Sequence, residues 1–140
     1  MKNNTPLHLA IIPDGNRRWA KAQGLAAWKG HEQSAETFRS LIEWCRHDPR
    51  VGILTIWVFS TENWKRDPQE VEKLMAMFVQ YLESERDLFH KNQVRLLHSG
   101  RRDRLNPELL QRLDAMIDET KDYDQFTLHL ALDYGGQDEI

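Results

Sequence analysis

The sequence contains a single cysteine, Cys45, among 140 residues. Neither a disulfide framework nor a CxxC metal knuckle can be built from it. Long apolar runs are missing too. Stretches such as Leu9 to Ile12 are far too short to span a bilayer. The first residues, Met1 to Pro6, lack the apolar centre of a secretory leader. No charge sign dominates, since 19 Lys and Arg stand against 22 Asp and Glu. No strongly basic surface follows, and nucleic acid is not an expected partner. The chain has neither GxxxxGK[ST] nor GxGxxG, the fingerprints of phosphate-loop and dinucleotide sites. It also shows no internal repeat, low-complexity tract or linker. A soluble cytoplasmic protein of one domain is the default expectation.

What is present alternates between strand and helix patterns. Leu7–Ile12, Ile53–Phe59, Val94–His98 and Phe126–Leu132 read as strands. The near-continuous apolar run Ile53–Phe59 suits a sheet covered on both faces. Between the strands, Ala35, Phe38, Ile42 and Cys45 recur at helical spacing within His31–His47, and Asp48-Pro49 stops that helix. Pro68 opens a longer helix to about Lys91, with Glu70 and Glu72 near its positive end. Its apolar stripe of Val71, Leu74, Met75, Phe78, Leu82 and Phe89 fits either an apolar tunnel or a plain core face. A third helix begins at Asn106-Pro107, and Asp133–Gly136 reads as a strand-to-helix turn. The expected fold class is α/β, a mostly parallel sheet flanked by helices. An open edge is expected beside Phe126–Leu132.

In such sheets ligands bind at the carboxyl ends of strands. Two polar loops leave strong strands there. In the first, Gly15 lets the backbone approach an anion, and Arg17 or Arg18 supplies forked donors. Asp14 would repel phosphate unless Mg²⁺ lies between them. The alternative is a plain turn in which Asp14 caps a helix and the arginines are solvated. Gly30-His31 precedes the next helical pattern; His31 either contacts phosphate or is a half-exposed capping histidine. The other five histidines fit no metal-ligand spacing and read as structural or solvated. The second loop is Ser60-Thr61-Glu62-Asn63-Trp64-Lys65-Arg66. Asn63 can orient a substrate or steer a proton, and Trp64 can close over an apolar ligand. The alternative is a surface loop with Trp64 packed beneath it.

The strings HLAIIPDGNRRWAK, GH at Gly30-His31, FSTENWKR at Phe59–Arg66 and LALDYGGQDEI resemble the cis-prenyltransferases, which include undecaprenyl diphosphate synthase. The match runs in order from about Leu7 to Ile140. The resemblance implies Mg²⁺-dependent condensation of isopentenyl diphosphate with an allylic diphosphate such as farnesyl diphosphate. It implies Asp14 at the Mg²⁺–diphosphate site. The allylic diphosphate would be held by the amides of Gly15 to Arg18, with the side chains of Asn16, Arg18 and His31. Arg17 would add to that grip, and Trp19 would support the loop. Ser60 and Asn63 would position isopentenyl diphosphate and pass on its proton, with Thr61 and Glu62 beside them. Trp64, Arg66 and Glu70 would belong to a closing loop, and the helix from Val71 would line the tunnel.

No DDxxD occurs, which separates the chain from the trans-prenyltransferases. Pro13 replaces a common methionine, Ala27 a common arginine and Gln137 the arginine of YGGR. With alanine at position 27, one diphosphate contact is either lost or supplied by Arg17 or Lys29. Family members continue beyond the point matching Ile140, through an RxSGExR segment, a Mg²⁺-binding glutamate and much of a homodimer surface. Residues 1–140 are therefore expected to be a single α/β domain, the N-terminal part of a catalytic domain with its C-terminal strands missing. Peripheral membrane contact through a lipid product is also expected. The alternative is a non-catalytic chain that binds allylic diphosphate, or half of a two-part assembly.

Overall fold

The computed structural model describes residues 5–140, so most of the leader reading at Met1–Pro6 lies outside it. Four strands form one parallel sheet: β1 (Leu7–Ile11), β2 (Val51–Ser60), β3 (Val94–Ser99) and β4 (Phe126–Tyr134). Their order is β1-β2-β4-β3. The last strand is inserted between β2 and β3, so Phe126–Leu132 has no open edge. The edges belong to β1 and β3. Part of the β3 edge is already used, because Thr120 Oγ1 accepts the Leu96 amide at 3.0 Å.

Each helix has a local cause. Helix α3 (Pro68–Lys91) starts where Asp67 accepts the amides of Gln69 and Glu70, with Pro68 in the first turn. Helix α4 (Pro107–Thr120) repeats this device, with Asn106 accepting the Leu109 amide at 2.7 Å. Helix α2 (Ala27–His47) begins four residues before the apolar pattern that reveals it. Gly30 therefore lies inside α2 rather than before it. A Cβ there would stand 2.1 Å from the Asn16 carbonyl oxygen, so glycine permits α2 to pack against α1 (Asn16–Ala22). A one-turn α5 (Gly136–Glu139) follows β4.

The three long helices bury their apolar stripes in one core with Leu54, Ile56, Leu96 and Leu128. The side chains that alternate with these point to the other face. There Ile53, Thr55 and Trp57 on β2, Thr127 and His129 on β4, and Arg95 and Leu97 on β3 are only half-buried. The mostly parallel sheet flanked by helices is as expected, with a difference in cover between its two faces among the described residues. An apolar run cannot reveal it, because the outward positions on β2 are themselves isoleucine and tryptophan. No described helix is long and apolar enough to cross a membrane.

Candidate active site

The parallel register puts the ends of β1 and β2 side by side, so the two polar loops meet at one rim. Beneath the rim lies a cavity of about 590 Å³. Asp14, Gly15, Asn16, Arg17, Arg18, His31, Ser60, Asn63 and Arg66 reach its mouth. Its depth is apolar, walled by Phe38 and Ile42 of α2, Leu74 and Phe78 of α3, Leu113 of α4 and Leu128 of β4. The α3 stripe thus serves both as core and as cavity wall.

The first loop is open. Gly15 has a φ of 95°, the left-handed region that glycine enters without strain. Its amide donates to Asp14 Oδ1 at 2.6 Å, so that amide is already occupied. The amides of Asn16, Arg17 and Arg18 open α1 and have no acceptor within the helix. Asp14 and Arg18 pair at 3.1 Å with side chains 84% and 80% exposed. A pair so wet is weak and exchanges readily for a ligand.

Glu70 organises the cationic side of the mouth. Its carboxylate accepts from Arg66 at 3.4 Å and lies 3.8 Å from Arg17 and 3.5 Å from His31 Nε2. Only 11% of the Glu70 side chain is exposed. One carboxylate therefore fixes groups from α1, α2 and the segment before α3. His31 is not a half-exposed cap. It sits in the second turn of α2, with its side chain 13% exposed. Burial lowers its pKa, against the opposing pull of Glu70, with Arg66 and Arg17 adding to the lowering. It is accordingly neutral near pH 7. Its Nε2 is buried with no hydrogen-bond partner among the described residues.

The second loop is a 3-10 turn, Thr61–Lys65, closed by a capping box. The Ser60 hydroxyl accepts the Asn63 amide, and Asn63 Oδ1 accepts the Ser60 amide at 3.0 Å. The Ser60 O–H and the Asn63 NH₂ therefore remain as donors at the mouth. Trp64 packs beneath the turn, edge-on to Phe59 with ring centroids 5.2 Å apart. Its indole N–H donates to Asp133 at 3.0 Å. Trp64, Thr61 and Glu62 do not reach the cavity. Trp19 does not either; it lies 41% exposed beside a separate groove.

The resemblance implies a place for Glu70 in a closing loop, and nothing in the sequence shows it as a shared anchor. The Asp67-Pro68 start is the available signal, since it puts Glu70 in the first helical turn. Asp133 reads locally only as part of a turn. Its partners lie 29 and 69 residues away, a separation that no local pattern carries. Among the described residues no three His, Cys, Asp or Glu side chains gather as a metal site.

An arginine-lined mouth at the strand ends over an apolar chamber defines an α/β protein with a two-part pocket, one part polar and one apolar. The chain belongs to the prenyltransferase family described as "Putative undecaprenyl diphosphate synthase", whose model matches residues 12–140. An isoprenyl transferase of Fusobacterium nucleatum is 42% identical over 140 residues, covering all of this chain and 60% of that protein. One from Thermotoga maritima is 42% identical over 135 residues, covering 96% and 58%. Among solved structures, lavandulyl diphosphate synthase from Lavandula x intermedia, in complex with dimethylallyl diphosphate, superposes with a TM-score of 0.91. It is 29% identical, over 99% of this chain and 59% of that one. The chain thus spans about 60% of the length of the curated relatives it matches.

Proposed function

We propose that this pocket binds an allylic diphosphate and supports its condensation with isopentenyl diphosphate to a cis-prenyl diphosphate. The observation that carries this reading is the continuity of a rim rich in arginine with an apolar chamber of about 590 Å³. The rim suits a diphosphate and the chamber suits a hydrocarbon tail.

Three rim arginines face two carboxylates, Asp14 and Glu70. That surplus does not neutralise a diphosphate, and a divalent cation would complete the balance. Asp14 fits Mg²⁺: it is a hard oxygen donor, exposed, and held only by Arg18 and the Gly15 amide. Mg²⁺ commonly takes one or two carboxylates and fills its shell with phosphate and water oxygens. When bound, it would stabilise the charge that develops on the departing diphosphate. Arg17, Arg18 and the α1 amides would hold the same group from the other side. Neutral His31 offers a hydrogen bond from below. Ser60 and Asn63 donate toward the second substrate and orient it. The apolar walls keep water from an allylic cation or a cation-like transition state.

The test is incorporation of radiolabelled isopentenyl diphosphate with farnesyl diphosphate and Mg²⁺. Chain extension that disappears with EDTA supports the reading, and its absence from a folded chain contradicts catalysis by these residues alone. A second reading draws on the share of the relatives' length that this chain spans. In it the chain binds the allylic diphosphate and condenses it only when another polypeptide completes the site. Binding without incorporation, restored by a second chain, would identify that case. Cytoplasmic location, dimerisation and contact with a membrane through the lipid product remain expectations of this same reading.

A further inference from the structure

Asp133 is a fully buried carboxylate at the end of β4, and neither part of the proposed chemistry uses it. Its φ of 54° turns it out of the strand direction. Gly100 allows the chain to close over it, since a Cβ there would stand 2.1 Å from the Leu132 carbonyl oxygen. Oδ2 accepts Arg104 Nε at 3.0 Å, and Oδ1 accepts the Trp64 indole N–H at 3.0 Å. The Arg104 guanidinium also lies over the Trp64 ring, 5.4 Å from its centroid. A second contact runs parallel: a Cβ on Gly135 would stand 2.7 Å from Thr61 Oγ1, so glycine lets the segment after β4 press against the 3-10 turn.

We infer that Asp133 is a positioning residue for the cavity mouth, acting through Trp64 on the turn that presents Ser60 and Asn63. The chain of contacts is short. Trp64 follows Asn63 directly, and Asn63 closes the capping box with Ser60. A buried carboxylate with two oriented donors fixes the indole far more tightly than aromatic packing alone. The mouth is thereby set by β4 and by Arg104, elements that contribute no donor to it. This inference rests on the reading of the pocket as a prenyl diphosphate site.

The test uses the 140-residue chain, with Asp133→Asn, Trp64→Phe and the double variant. Isopentenyl diphosphate, the substrate that Ser60 and Asn63 are read to orient, is titrated with Mg²⁺ onto the chain holding farnesyl thiodiphosphate, a non-reacting allylic analogue, and the indole N–H signals are followed by ¹⁵N NMR. Trp64→Phe assigns the Trp64 signal. Asp133→Asn is expected to shift that signal and speed its exchange with solvent. Each single variant is expected to weaken isopentenyl diphosphate binding about tenfold, and the double variant no further. If Asp133→Asn fails to fold, Trp64→Phe decides alone, because it leaves the Asp133–Arg104 pair in place. Folded variants with unchanged affinity would overturn the inference while leaving the proposed function standing. No isopentenyl diphosphate binding by the unsubstituted chain would overturn both.

Discussion

The two loops at the cavity mouth leave neighbouring parallel strands, yet they are built in opposite ways. The loop after β1 is held by the close approach of Gly30 to Asn16 and by the contact of Arg17 with Glu70 at 3.8 Å. Its Asp14–Arg18 pair stands in solvent, and Arg18 remains available to a ligand. The turn after β2 is closed by its own capping box and bolted to Asp133 from below. On the proposed reading, the charge that meets the anion sits on the open loop. Donors that must be aimed sit on the fixed one. This is the division expected of a site that captures an anion and then orients a reaction.

Gly30→Ala should break the open loop's anchor with the largest effect on folding. Its Cβ would enter the Asn16 backbone, and a destabilisation of about 3 kcal/mol is expected in denaturant melts. An unchanged midpoint would show that α1 shifts at no cost. Asp133→Ala should strike the fixed turn, leaving the Trp64 indole N–H without an acceptor and Arg104 without its partner. Arg104 is about one-third exposed and regains water, so a destabilisation of about 2 kcal/mol is expected rather than a full buried-pair penalty. Arg18→Ala sharpens the contrast. Stability should stay within about 0.5 kcal/mol, because the ion pair is solvated. Affinity for a prenyl diphosphate analogue should fall about tenfold in calorimetric titration.

The smallest effect is on pH dependence. Burial lowers the pKa of His31, and also of His98 and His129. A histidine lowered on folding takes up its proton more readily in the unfolded chain. Stability should therefore fall as pH drops below about 6.5 and continue to fall until the folded values are passed. His31→Gln should flatten part of that slope in urea midpoints measured between about pH 7 and 5. An unchanged slope would assign the effect to the other two.

Much of this contrast is legible in the sequence, and its limits have physical causes. Strand positions and the start of α3 follow from local chemistry, such as the β-branched run in β2 and Pro68 after Asp67. Asp14, Gly15, Arg17, Arg18, Ser60 and Asn63 fall on one rim because parallel strands end on one side. The start of α2 is hidden because Gly30 resembles a break, when it is in fact a contact between helices. The place of β4 between β2 and β3, and the lesser cover of one face of the sheet, depend on pairings that periodicity does not encode. Trp64 shows the same limit. Its alternatives, closing over a ligand or packing under a loop, are separated only by Asp133 beneath it.

The central claim is that one pocket holds a charged head at the β1 loop and an apolar tail in the chamber beneath. Its most direct test is calorimetric titration of the 140-residue chain, with Mg²⁺ present, against three ligands: farnesyl thiodiphosphate, methylenebisphosphonate and farnesol. The account predicts that farnesyl thiodiphosphate binds at least tenfold more tightly than either part alone, and that Arg18→Ala removes most of that advantage. Farnesol binding as tightly as the diphosphate analogue, or methylenebisphosphonate doing so, would contradict it.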